Sequence, residues 1–371
     1  MKKSDIILLV LLAGAAVVSI IKFVPDKMQV LGDMLGATVK ISVSASQQAF
    51  VQRYLSLDKL LHHEMGNPLR TPQESGEEKT ADLTQTDADI QALQQKALKK
   101  AKTTAAAGKV VERTIENMNE QIAFGDIKVQ NRTEKDIDIE KILKEGAKLR
   151  IEDKSKPTVL IYHSHTHECF VQLDNGSYMK GETTQSADSG QNMVRVGDAI
   201  CAQLEQAGFS VVHDTKIHDE DYNHSYEHSG KEIDKILKKY PSIDVTIDIH
   251  RDSIGVEGDD SARTSVVREI AGKKAAQIMI ITGCEENFIT DFPHWYDNLH
   301  FALGLQQQFC VDFPGLARPL YFADRKYDMY KTRNSVLIEV GSDGNTLEQA
   351  VYSGKMIGAS LARYLEKYVK E

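Results

Sequence analysis

The chain has 371 residues, of which 41% are hydrophobic and 27% are charged, and its formal net charge is -9. This length and composition suit a globular core together with additional segments. Nucleic-acid binding depends on clustered lysine and arginine side chains that neutralise phosphates. The acidic balance and the lack of a basic stripe therefore exclude nucleic acid as an expected partner.

The first residues predict a membrane anchor. Residues 6–21 carry no charge, and Lys2 and Lys3 precede them. A spanning helix needs about 20 apolar residues, and basic residues before the run place the N-terminus in the cytoplasm. A cleaved signal peptide is the alternative, but no small-residue cleavage site follows the run. The pattern predicts a cytoplasmic stub over residues 1–5, a single-pass anchor over residues 6–24 and an extracytoplasmic remainder at the cell membrane.

The segment over residues 25–119 is predicted to be a membrane-proximal region followed by a polar linker. Residues 70–88 are polar and acidic, and they are too poor in apolar side chains to form a core alone. Residues 90–107 have helix propensity but only a thin apolar stripe. This helix is therefore interpreted as a spacer or as a partner-binding element.

The region over residues 120–371 is predicted to be an α/β domain. Short apolar runs predict strands over residues 159–162, 209–212, 243–249, 277–282, 319–322 and 335–340. Amphipathic segments predict helices over residues 192–207, 226–240, 295–309 and 347–368. Because strands and helices largely alternate, we expect a mostly parallel sheet flanked by helices.

Polar clusters follow three of these strands. One is the stretch over residues 163–168, the second is the stretch over residues 250–252, and the third begins at Glu339. Ligands in open α/β sheets bind beyond the carboxyl ends of the strands, so these clusters are expected to meet. Each cluster alone has an ordinary explanation, such as a surface loop or a hydrogen-bonded core histidine. Their joint placement at one edge of the sheet predicts a functional site.

The residue types in these clusters indicate zinc. A catalytic zinc site uses three nitrogen, oxygen or sulfur ligands from the protein and leaves a fourth position for water. Two histidines and one carboxylate from the first two clusters satisfy that count, and Glu339 suits the base that accepts the proton of the water. Side chains alternate along an extended segment, so His163, His165 and His167 would share one side. The pattern leaves open which of these histidines binds.

With these motifs in view, the sequence resembles the stage II sporulation protein P family of endospore-forming bacteria. The similar stretches cover residues 157–168, 192–197, 248–252, 298–302, 337–341 and 344–346. They occur in order between about residue 120 and the C-terminus. The HxHxxE motif over residues 163–168 and the DIHRD motif over residues 248–252 are the most specific of them.

The resemblance implies a fold similar to that of zinc-dependent N-acetylmuramoyl-L-alanine amidases. It implies a peptidoglycan hydrolase that acts in forespore engulfment and cleaves the bond between the muramic acid lactyl group and L-alanine. Endopeptidase cleavage of peptide cross-links is a second associated activity. The resemblance also implies stage II sporulation proteins D and M as partners. A non-catalytic wall-binding scaffold with the same fold is the alternative.

The resemblance also implies a ligand set for Zn2+. The two zinc-binding histidines fall on His165 and His250. The carboxylate ligand falls on Glu168 within the HxHxxE motif or on Asp188 further along the chain, and Glu168 is preferred.

Catalytic roles follow in the same way. The resemblance places the catalytic glutamate on Glu339, which agrees with the base expected from its position at the end of an apolar strand. Arg251 or His163 would then stabilise the oxyanion or a carboxylate of the substrate.

Overall fold

The computed structural model describes residues 83–119 and 121–370. All of them belong to one compact unit, Thr80–Glu371. The anchor predicted over residues 6–24 lies outside the described residues. Within the described ranges, no helix combines the length and the apolarity needed to cross a membrane. This finding contradicts the predicted single-pass localisation at the cell membrane.

Six α-helices and thirteen β-strands are formed by the described residues. The helices are α1 (Ala88–Ala101), α2 (Ile139–Glu145), α3 (Met193–Gln206), α4 (Ser225–Lys239), α5 (Trp295–Asp312) and α6 (Leu347–Glu366). The strands are β1 (Ala106–Arg113), β2 (Gln121–Phe124), β3 (Ile127–Asn131), β4 (Pro157–Tyr162), β5 (Ser177–Met179), β6 (Ser210–His213), β7 (Val245–Asp252), β8 (Gly255–Val256), β9 (Asp259–Ile270), β10 (Lys273–Ala276), β11 (Ile278–Gly283), β12 (Leu320–Ala323) and β13 (Asn334–Ser342).

The larger sheet has eight strands in the order β2-β3-β12-β11-β13-β7-β4-β6. Strands β13, β7, β4 and β6 are parallel, but β11 is antiparallel to β13 and β2 is antiparallel to β3. The α/β class is confirmed, whereas the prediction of a mostly parallel sheet is wrong because the sheet is mixed. Parallel neighbours need a crossover connection. Strand β11 instead follows β10 of the second sheet after one residue. It therefore enters the larger sheet at the edge where β13 ends and runs antiparallel to β13.

A second sheet has the order β10-β9-β1-β5, and β8 pairs with β9. Sequence patterns did not predict this sheet. It lies beside the carboxyl end of β7, since β8 begins three residues after Asp252. Strand β1, which precedes residue 120, pairs with both β9 and β5. The domain boundary at residue 120 stays a prediction.

The strands and helices predicted between residues 157 and 371 are found with small shifts in their ends. Helix α3 illustrates the local causes. The side chain of Asn192 accepts a hydrogen bond from the amide of Val194 and caps the first turn. Gly208 follows the helix with φ of 85°, a left-handed conformation that ends helices and favours glycine. These two residues fix where the helix begins and ends.

The main core lies between the larger sheet and helices α3, α5 and α6. In β7, Val245, Ile247 and Ile249 belong to this core and are fully buried. The alternate positions of β7, among them Asp248 and His250, point to the opposite face because side chains alternate along a strand. The fold therefore places polar groups of β7 together at one end of the face that α3, α5 and α6 leave uncovered.

Candidate metal centre

Three side chains meet at the carboxyl ends of β4 and β7. The potential ligand atoms of His165, Glu168 and His250 all lie within 4.8 Å of one another. Nδ1 of His165 lies 3.9 Å from Oε1 of Glu168, and Nδ1 of His250 lies 3.6 Å from Oε2. Two imidazoles and one carboxylate form a ligand set typical of catalytic zinc. The structure thus brings together the three residues that the sequence singled out as ligands.

The turn after β4 separates the histidines that an extended strand would have aligned. The strand ends at Tyr162, and the hydroxyl of Thr166 donates a hydrogen bond of 2.8 Å to the carbonyl of His163. The amide of Glu168 donates to the carbonyl of His165 over 3.2 Å. These two bonds close the turn, so His165 and Glu168 face β7.

His163 lies on the other side of the sheet, against α3. Its ring is fully buried, with Nδ1 3.0 Å from the carbonyl of Ile249 and Nε2 2.9 Å from Nε2 of His213. Burial, and then the neighbouring His213, lowers the pKa of His163 to about 3. A ring in this position has no access to a substrate. The structure therefore corrects the interpretation of His163 as an oxyanion-stabilising residue.

Arg251 supports the site through its backbone and through its side chain. Its amide donates a hydrogen bond of 3.0 Å to Oε2 of Glu168. Its guanidinium donates to the carbonyls of Cys169, Thr184 and Asp252 over 3.0 to 3.1 Å. These contacts hold the segment that carries Glu168. The observed contacts of Arg251 are thus those of a positioning residue.

Asp188, the alternative carboxylate ligand, lies apart from the three-residue group. It is exposed, and its side chain accepts hydrogen bonds from the amide of Gly190 and from the side chain of Gln191. These bonds shape the turn before α3. Of the two carboxylates that the resemblance left open, Glu168 is the one that reaches the histidines.

Asp248 orients His250, and sequence reasoning missed this residue. Oδ1 of Asp248 lies 3.0 Å from Nε2 of His250. Ser164 fixes the carboxylate, because its amide and its hydroxyl donate hydrogen bonds of 2.9 and 2.7 Å to the two oxygens. A carboxylate on the outer nitrogen of a histidine is a common support for metal ligands. The signal was available, since residues two apart on a strand share a face.

The negative charge of the carboxylates around His250 favours the binding of a cation at this site. Burial lowers the pKa of the His250 imidazole, but the carboxylates of Asp248, Glu168 and Glu339 outweigh it and raise that pKa to about 10. His165 differs, since burial and then the charge of His250 lower its pKa to about 4. A neutral imidazole beside several carboxylates is suited to metal binding.

Glu339 stands beside His250 on the neighbouring strand β13, where the two residues are register partners. Its Oε2 atom is buried and has no hydrogen-bond partner among the described residues. Burial raises the pKa of Glu339 to about 8. An unpaired buried carboxylate oxygen is costly, and such groups cluster at functional sites. Glu339 therefore has the position and the free acceptor that a general base requires.

These residues open into a cleft of about 500 Å³. The side chains that line it are His165, Glu168, Tyr222, Asn223, Tyr226, His250, Arg251, Asp252, Ser253, Tyr327, Leu337 and Glu339. The three tyrosines were not found by sequence reasoning. They come from loops and a helix start that no chemical motif marks.

A mixed α/β fold with two histidines, a carboxylate and an unpaired glutamate at one strand edge is typical of metal-dependent hydrolases. The chain belongs to the stage II sporulation protein P family, whose model matches residues 57–362. Stage II sporulation protein P of Bacillus subtilis (strain 168) is 26% identical over 208 residues, which are 52% of this chain and 47% of that protein. The chain thus spans about half the length of this curated relative.

Solved structures of amidases are also similar. The amidase AmiC2 of Nostoc punctiforme is 13% identical, with 58% of this chain and 98% of that chain covered and a TM-score of 0.35. CwlD of Clostridioides difficile, solved in complex with the GerS lipoprotein, is 12% identical, with 57% and 99% covered and a TM-score of 0.36.

Proposed function

We propose that this chain is a zinc-dependent peptidoglycan hydrolase that acts in sporulation, during forespore engulfment, as an N-acetylmuramoyl-L-alanine amidase. The observation that carries the proposal is the group of His165, Glu168 and His250 within 4.8 Å, with the unpaired oxygen of Glu339 beside it. Membership of the stage II sporulation protein P family supports the role in sporulation. The choice of the bond rests on the resemblance described above.

In this proposal, zinc would be held by His165, Glu168 and His250, where it would polarise the scissile carbonyl and acidify a water molecule. Glu339 accepts the proton of the attacking water on its carboxylate and donates it to the leaving amine. Asp248 keeps Nδ1 of His250 directed at the cleft, and the amide of Arg251 holds Glu168. These roles use groups whose positions are already fixed by neighbouring contacts.

Product identification tests this proposal. Purified sacculi are treated with the full chain and zinc, with the full chain after a chelator has removed its metal, or with the Glu339→Ala variant. The soluble products are then analysed by mass spectrometry. The amidase reaction releases stem peptides that begin with L-alanine. Glycan strands that keep their stem peptides but lose their cross-links would instead identify endopeptidase activity, which hydrolyses an amide bond with the same chemistry. Equal release by the wild type and Glu339→Ala would refute the assigned base.

Two further variants assign the carboxylate ligand. Glu168→Gln should abolish release, whereas Asp188→Asn should keep it, since Asp188 is exposed and apart from the histidines. The reverse result would move the ligand to Asp188. Absence of bound zinc and of any release in the wild type would favour the wall-binding scaffold.

Association with stage II sporulation proteins D and M is proposed on the resemblance alone. Co-purification of the full chain with each of them tests it. Retention of neither protein would remove them as partners without affecting the proposed chemistry.

A further inference from the structure

Tyr222 stands at the mouth of the cleft with most of its surface open. Its ring is nearly parallel to the ring of His165, with the centroids 4.5 Å apart and an angle of 19°, and yet 59% of the residue is exposed. A short 3₁₀ turn, Tyr222–His224, carries it. Asp221 stabilises this turn by accepting hydrogen bonds from the amide of Asn223 and from the ring of His224. The ring is therefore held in place without being covered.

Two further aromatic side chains, Tyr226 and Tyr327, line the cleft. The ring of Tyr226 lies 5.1 Å from that of Tyr327 and is nearly parallel to that of His250. Tyr327 has φ of 42°, a conformation that a bulky residue rarely adopts. Such backbone strain is concentrated at functional sites. Unlike Tyr222, both of these tyrosines are partly buried, so Tyr222 is the aromatic ring of the cleft that offers an open face.

We infer that Tyr222 is a substrate-binding residue that packs against the sugar ring of the muramoyl group. The inference rests on the proposed function and specifies one contact of that site. If the scissile carbonyl lies at the three ligands, its two neighbours differ in size. On the peptide side stands the methyl group of L-alanine, whereas on the other side the pyranose ring is joined through the lactyl ether. Only the pyranose presents a face large enough to cover a tyrosine ring.

The charge near Tyr222 supports the same orientation. Glu220 and Asp221 directly precede it and are exposed. Stem peptides carry free carboxylates, which these acidic side chains would repel. Among the described residues, Arg251 is the one arginine or lysine that lines the cleft, and backbone carbonyls engage its guanidinium. An uncharged sugar therefore suits the Tyr222 side better than the peptide does.

Steady-state kinetics on a soluble glycan–peptide fragment test the contact. Tyr222→Ala should raise KM about tenfold, because the aromatic contact and the surface it covers are lost, while kcat and zinc affinity change little. Tyr222→Phe keeps the ring face and should restore KM to within about twofold of the wild type. Tyr296→Ala is the matched control, since Tyr296 is 37% exposed and its ring lies 4.6 Å from that of His300, outside the cleft. This control should match the wild type.

Binding by the full chain with Glu339→Gln separates this inference from the proposed reaction. Peptide-free glycan strands and free stem peptides are the two probes, each measured with and without Tyr222→Ala. Weaker binding of the glycan alone supports the inference even if no hydrolysis is ever detected. Weaker binding of the stem peptide alone would overturn it. It would also be overturned if Tyr222→Ala lowered kcat and zinc affinity at unchanged KM, because the ring would then only support His165.

Discussion

The two faces of the larger sheet are built from the same strands but carry different side chains. On the face covered by α3, α5 and α6, β7 contributes Val245, Ile247 and Ile249, all fully buried in the main core. On the other face the same strand contributes Asp248 and His250, which are also buried. One face thus stabilises the fold, whereas the other contains polar and charged side chains whose burial costs free energy.

Strand β13 repeats this division. Val336, Ile338 and Val340 belong to the main core, whereas Leu337 packs in a small cluster on the opposite face and Glu339 stands beside His250. Proteins keep unfavourable groups of this kind where function requires them. Mutations on the two faces should therefore separate stability from activity.

The largest effect is expected from removal of a ligand. His165→Ala should lower the rate of peptidoglycan hydrolysis by about a thousandfold, as loss of a group that stabilises the transition state does. The melting temperature measured without zinc should change little, because His165 lies in a turn at the cleft and outside the main core. Dye release from labelled sacculi and calorimetry measure the two quantities. Hydrolysis at the wild-type rate would contradict the assignment of His165 to the functional face.

The core face should show the opposite result. Ile247→Ala leaves a cavity in the main core and should lower the free energy of unfolding by about 3 kcal/mol. The activity of the folded protein should be unchanged, since the removed atoms face away from the cleft. Ile122→Ala is the control, because Ile122 in β2 is 36% exposed, and it should cost less than about 0.5 kcal/mol. Denaturant unfolding followed by circular dichroism provides the values.

A smaller effect is expected from Asp248, which contacts the ligand His250 but does not bind the metal itself. Asp248→Asn removes the charge that holds Nε2 of His250 and should weaken zinc binding by about tenfold or more. Asp198→Asn is matched to it, because Asp198 also pairs with a histidine, His213, over 3.1 Å but lies away from the cleft. Competition with a zinc-binding dye compares the two. Equal affinities in both variants would remove Asp248 from the site.

The smallest effect concerns pH. Asp328 is buried, and burial raises its pKa from 3.8 to about 7, although the hydroxyl of Ser229 donates a hydrogen bond to it. The unfolded chain releases this proton near pH 4 and the folded chain near pH 7, so the carboxyl destabilises the fold as the pH rises between these values. Asp328→Asn should therefore gain about 1 kcal/mol over the wild type between pH 6 and pH 7.5. Unfolding at both pH values tests it, and a constant difference would count against the burial of a protonated Asp328.

Sequence patterns predicted the strands that are formed by one continuous apolar run and the polar residues that follow each run. The strands that contain Ile161, Ile249 and Ile338 are short apolar runs, and polar residues mark where each run ends. Because parallel strands end at one edge, the order of elements predicted that the cluster over residues 163–168 would meet His250 and Glu339. The choice of His165 within that cluster came from the family resemblance.

Other features depend on long-range pairing, which local patterns do not contain. The antiparallel direction of β11 results from its entry out of the second sheet. The burial of His163 under α3 depends on the turn that Thr166 closes. The position of Tyr222 depends on the packing of its loop against His165, a residue that is far from it in the sequence. None of these contacts leaves a periodic trace in the sequence.

The central claim is that His165, Glu168 and His250 hold a zinc ion. Crystals of the full chain grown with zinc, measured on both sides of the zinc absorption edge, test it most directly. We predict one strong anomalous peak about 2.1 Å from a nitrogen of each histidine and from a carboxylate oxygen of Glu168. A peak at other residues, or none at this group, would contradict the claim.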